Sequence, residues 1–72
     1  MKNGKKQSPY ALGYEEAYGA TSWTLSGKTF SATEEAERRA DRANLAGEDR
    51  AAFVRGFVDY CRGHSGTWTA TE

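Results

Sequence analysis

A small α+β fold, with an N-terminal helix, a β-hairpin and then two further helices, is predicted by three features of this 72-residue sequence. Ser8-Pro9 is a helix start, the run from Thr21 to Ser31 is rich in strand formers with a break at Gly27, and two amphipathic stretches follow it.

The first helix is expected over about residues 9–18. Serine at the cap accepts from free amides of the first turn, and proline at the first helical position gives up only an amide that has no intrahelical partner. Tyr10, Tyr14, Ala17 and Tyr18 recur at helical spacing, and Gly19 reads as the stop. Gly13 in mid-helix costs about 1 kcal/mol relative to alanine.

The segment TSWTLSGKTFS reads as a hairpin turning at Ser26-Gly27 or Gly27-Lys28. Either register puts Trp23, Leu25 and Phe30 on one face, which must pack on helices because an isolated hairpin is marginal in water.

Ser31-Ala32-Thr33-Glu34 is a capping box opening the second helix. Its acidic residues, Glu34, Glu35 and Glu37, come early. Arg38, Arg39 and Arg42 come late, as the helix dipole favours. Glu34–Arg38 and Glu35–Arg39 are spaced for ion pairs. The apolar stripe is only Ala36, Ala40 and Ala43, which permits close backbone approach but buries little area. Ala46-Gly47 breaks the run. Glu48-Asp49 then opens a third helix whose face of Phe53, Val54, Phe57, Val58, Tyr60 and Cys61 is the strongest apolar surface, with Gly63 as its end. Gly56, four residues after Ala52, allows a second close helix contact. The expected core is Trp23, Leu25, Phe30, Phe53, Val54, Phe57 and Val58. Residues 1–7 read as a flexible basic tail, residues 8–64 as one compact domain, and residues 65–72 as a tail or an edge strand.

Composition narrows the function. Nine aromatics (four Tyr, three Phe, two Trp) carry much of the buried area that a chain this short can offer. Ten basic and ten acidic residues cancel, so net charge does not single out nucleic acid as a partner. The single cysteine excludes an internal disulfide and fits a reducing, cytoplasmic setting. No apolar run approaches a membrane span, and no apolar segment follows the basic N-terminus as it would in a signal peptide.

Chemistry finds few footholds. Cys61 and His64 are three residues apart across the expected helix end, but Cys61 falls on the apolar face, where a thiol is inert. Two such ligands do not make a zinc site. The acidic pairs Glu15-Glu16, Glu34-Glu35 and Glu48-Asp49 do not converge, because adjacent helical residues diverge. No glycine-rich phosphate loop is present. No enzyme activity, metal or cofactor is therefore expected.

Two binding surfaces remain. Tyr10, Tyr14 and Tyr18 form one helical stripe that can equally be core, with hydroxyls reaching water, or a partner surface which, with Trp68 in the polar C-terminal stretch, supplies large rigid contact area. Lys2, Lys5 and Lys6 of the tail, with Arg38, Arg39 and Arg42, supply cationic contacts for nucleic acid in the alternative reading. The tyrosine helix and alanine stripe also make a homodimer an expectation.

In outline, with a capped alanine-rich helix and a terminal AFVRGFVDYCRG segment, the chain resembles small accessory proteins of phages and other mobile elements. That resemblance implies a non-enzymatic inhibitor or modulator of a host protein complex, such as an anti-CRISPR protein. Gly13-Tyr14 and Arg55-Gly56-Phe57 also resemble elements of the two-helix ribosome modulation factors. The chain departs from that family's pattern in having no Cys-Pro-Tyr between its helices: Ser8-Pro9-Tyr10 precedes the first helix, and the cysteine is near the end.

Overall fold

The computed structural model describes residues 7–72; residues 1–6 of the basic tail, with Lys2, Lys5 and Lys6, lie outside the described residues. Three helices and a two-stranded sheet follow in the order α1 (Pro9–Ser22), β1 (Thr29–Ser31), α2 (Ala32–Arg42), α3 (Gly47–Gly63) and β2 (Thr69–Thr71). The α+β class and the order helix, strand, two helices are as expected. The hairpin is not.

Helix α1 begins at the Ser8 cap, whose hydroxyl accepts from the Ala11 amide at 3.2 Å, and Pro9 fills the first turn. It does not stop at Gly19. Thr21 and Ser22 return their hydroxyls to the carbonyls of Ala17 (2.9 Å) and Tyr18 (2.8 Å), so these strand-favouring residues are held in the last helical turn. The helix therefore consumes the residues expected to form the first hairpin strand. Trp23 becomes the C-cap and is 83% exposed, which removes it from the core. The Leu25 amide returns to the Ala20 carbonyl at 2.7 Å, and this turn carries Leu25 into the core. A second turn, from the Leu25 carbonyl to the Lys28 amide, passes through Gly27 at φ 77°.

With no strand preceding it, β1 pairs with β2, in parallel, with Phe30 opposite Ala70. A parallel pair needs a crossover, and here α2 and α3 supply it. Thr69 donates to the Lys28 carbonyl at 2.8 Å, and Ser31 donates to the Glu72 carbonyl at 2.9 Å. Of the two expectations for residues 65–72, the edge strand is the one observed.

Ser31 also caps α2 by accepting from the Glu34 amide at 3.2 Å, as the capping box predicts. The helix ends in a Schellman turn: Asn44 takes φ 61°, its amide returns to Asp41, and the Leu45 amide returns to Ala40. The buried alanine stripe is Ala32, Ala36 and Ala40, while Ala43, at the C-cap, is exposed. Arg38 pairs with Glu35 at 2.6 Å rather than with Glu34.

Helix α3 forms the centre of the domain. Phe53, Phe57, Val58, Tyr60 and Cys61 are buried, with Phe57 fully enclosed; Val54 and Phe30 are half-buried against the same core. It packs chiefly on α1. At the crossing, a Cβ on Gly13 would overlap the Phe53 carbonyl, and one on Gly56 would overlap the Tyr10 carbonyl. Glycine at both points brings the two backbones into direct contact.

Candidate protein-docking surface

The close α1–α3 crossing brings two i,i+4 aromatic series side by side. Tyr10, Tyr14 and Tyr18 come from α1; Tyr60 and the C-cap residue His64 come from α3. Tyr60 is the buried base at 8% exposure. Tyr14 meets its ring edge-on at 5.1 Å between centroids, and Tyr18 does so at 6.1 Å. His64 stacks on Tyr60 at 4.0 Å and 12°, and lies 6.0 Å from Tyr14. Tyr10 extends the row by stacking on Tyr14 at 6.3 Å. Edge-to-face and offset pairs of this kind each add about 0.5–1.5 kcal/mol beyond area burial, so the rings are pre-positioned.

Two polar contacts fix the margin. The Tyr10 hydroxyl donates to the Asp59 carboxylate at 2.6 Å, and that hydrogen bond holds the phenol above its usual pKa. His64 Nδ1 donates to the Tyr60 carbonyl at 3.0 Å, a side-chain bond to the last turn of α3. The outward side is open: Tyr10 is 38%, Tyr14 37% and Tyr18 64% exposed. The three tyrosines singled out from sequence are thus together, half on the core and half in solvent. Tyr60 lies on the apolar face of α3, as expected, and His64 is exposed at its end. Their spacing of four matches that of the tyrosine stripe, but it does not by itself announce that both rings join the tyrosine row.

Trp68 is not in ring contact with this cluster. It is half-buried and lies 5.9 Å from the Phe30 ring, covering the end of the core. Trp23, expected inside, is the most exposed of the large apolar side chains; Leu12, at 40%, is another on α1.

The arginines divide. Arg39 donates to Glu16 at 2.7 Å, has Glu35 3.4 Å from its Nε, and lies over the Phe57 ring at 5.9 Å. Its side chain is only 14% exposed, so it fastens α1 to α2. Arg38 is open to solvent beside Glu35, and Arg42 is exposed with no ion pair among the described residues. The structure therefore does not join Arg38, Arg39 and Arg42 into one free cationic patch.

Cys61 is buried in the core, and desolvation pushes its thiol up to about 11. The imidazole of His64 is engaged with Tyr60 and Tyr14. Among the described residues, no group of three or more His, Cys, Asp or Glu side chains is placed to hold a metal ion, and no helix is long and apolar enough to cross a membrane. No protein-family model, curated protein or solved structure matches the chain.

Proposed function

We propose that this chain is a non-enzymatic protein-binding protein, an inhibitor or modulator of the phage type that binds a host protein complex and acts by occupying a surface. An anti-CRISPR protein is one such case. The supporting observation is the tyrosine cluster: three partly exposed phenol rings held on a buried Tyr60 and flanked by His64. Tyrosine in such a setting offers large apolar area with a hydrogen-bonding tip and little rotamer entropy to lose, the properties of interface hot spots. The buried free thiol suits a cytoplasmic site of action. The test is affinity purification from candidate bacterial hosts with the wild-type chain and with Tyr14→Ala and Tyr18→Ala. Specific retention of one complex that both variants lose supports the proposal; an unchanged partner list removes the tyrosine face from it.

A second reading, a small nucleic-acid- or ribosome-associated factor using Lys2, Lys5, Lys6, Arg38, Arg39 and Arg42, is favoured by one observation. Gly13-Tyr14 and Arg55-Gly56-Phe57, the segments that resemble ribosome modulation factors, meet at the α1–α3 crossing. The engagement of Arg39 with Glu16 and Glu35 counts against it. RNA gel shifts across a salt series decide: phosphate contacts predict binding that weakens steeply with salt.

A further inference from the structure

The chain leaves α3 at His64, bends at Gly66-Thr67 and returns along β1 as β2. Two apolar side chains hold this segment to the domain. Trp68 lies 5.9 Å from the Phe30 ring, and Ala70 stands opposite Phe30 in the ladder; both are half-buried against the core. The indole folds back across Gly66, where a Cβ would come within 2.8 Å of its Nε1.

The remaining side-chain attachments lie at the surface. The hydroxyls of Ser26 and Thr67 meet at 3.0 Å, Thr71 donates to the Phe30 carbonyl at 3.3 Å, and Ser31 donates to the Glu72 carbonyl at 2.9 Å, all of them exposed. Arg62 pairs with Glu72, and both side chains are 60% exposed. Water competes for each of these contacts, so each adds little. A two-stranded sheet of three-residue strands is not stable alone. The helices are joined otherwise: α1 and α3 touch backbone to backbone at Gly13 and Gly56, and Phe57 of α3 is fully enclosed.

We infer that residues 65–72 are a detachable clasp, which opens as a unit while the three helices stay assembled. Local opening of this kind selects regions with few buried apolar contacts and solvent-exposed hydrogen bonds, which describes this segment and not α3. His64 marks where the motion stops. Its ring is stacked on Tyr60 at 4.0 Å and bonded to the Tyr60 carbonyl, so the hinge falls after it, at Ser65-Gly66, and the tyrosine cluster stays in place. The open form presents Phe30 and the unpaired edge of β1, both covered when the clasp is closed. The surface offered to a partner therefore has two states, which differ at β1 rather than at Tyr14 and Tyr18.

The test is native-state hydrogen exchange of the full, isotope-labelled chain, followed by NMR at low urea concentrations. The Thr69 amide, which donates to the Lys28 carbonyl, should be protected at least about a hundredfold less than the amides of Phe57, Tyr60 and Cys61. Its exchange should also respond weakly to urea, because its opening exposes little surface. In a chain carrying Ser26→Cys, Thr67→Cys and Cys61→Ala, forming the disulfide should raise Thr69 protection at least about tenfold over the reduced form of the same chain. Equal protection and an equal urea response at Thr69 and Phe57 would overturn the inference, because the segment would then open only with the whole domain. Exchange of Tyr60 and Cys61 in step with Thr69 would overturn it too, since the tyrosine cluster would open with the clasp. So would a Thr69 amide indifferent to the disulfide.

Discussion

Gly13 of α1 and Gly56 of α3 form a reciprocal contact: Gly13 leaves room for the Phe53 carbonyl, and Gly56 leaves room for the Tyr10 carbonyl. The whole tyrosine cluster depends on this crossing, because it sets how closely the Tyr10–Tyr18 stripe can approach Tyr60 and His64.

Gly13→Ala and Gly56→Ala should each therefore lower stability by about 2 kcal/mol or more, although alanine is the better helix former by about 1 kcal/mol. Gly19, also within α1, has nothing near its Cβ position. Gly19→Ala should raise stability by up to about 1 kcal/mol on propensity alone. Urea denaturation of the three variants tests the contrast.

The two tryptophans should behave oppositely. Trp23→Ala should change stability by no more than about 0.5 kcal/mol, as for an exposed surface residue. Trp68→Ala strips the cover from Phe30 and should cost about 1–3 kcal/mol. In single-tryptophan chains, acrylamide should quench Trp23 strongly and Trp68 weakly.

Cys61 should react with a disulfide reagent only as the chain unfolds. With the folded thiol raised to about 11 and a free thiol near 9.0, the unfolded chain loses its proton first as pH rises. This contribution to stability is therefore complete below pH 9 and is lost as pH climbs through about 11. Thiol labelling at neutral pH, with and without denaturant, and denaturation midpoints across that alkaline range check both statements. Rapid labelling of the native protein would reopen the thiolate chemistry set aside above.

Arg39→Ala should cost about 1–2 kcal/mol, because it leaves Glu16 and Glu35 without their shared cation and removes packing over Phe57. Arg42→Ala should stay within about 0.5 kcal/mol. Thermal denaturation distinguishes a structural Arg39 from one held ready for a phosphate.

Legibility in the sequence followed the range of the interactions. Ser8-Pro9, the Ser31 cap of α2 and the apolar face of α3 are local patterns, and each is present as read. The stretch from Gly19 to Leu25 was misread because Thr21, Trp23 and Leu25 favour strands. Nothing local announced that the hydroxyls of Thr21 and Ser22 would extend the helix by returning to its own carbonyls. The partner of β1 lies 40 residues downstream, in a polar segment whose strand character depends on that pairing. Gly13 read as a weak point in a helix; only the tertiary structure reveals it as the point of closest approach. The tyrosine stripe was visible, whereas its union with Tyr60 and His64 depended on the same crossing.

The most direct measurement places a photo-crosslinking amino acid at position 18, and separately at position 42, in the full-length chain within host cells. Docking through the tyrosine cluster predicts one discrete protein adduct from position 18, lost on Tyr14→Ala, and none from position 42. An adduct to RNA from position 42, with position 18 silent, would contradict it.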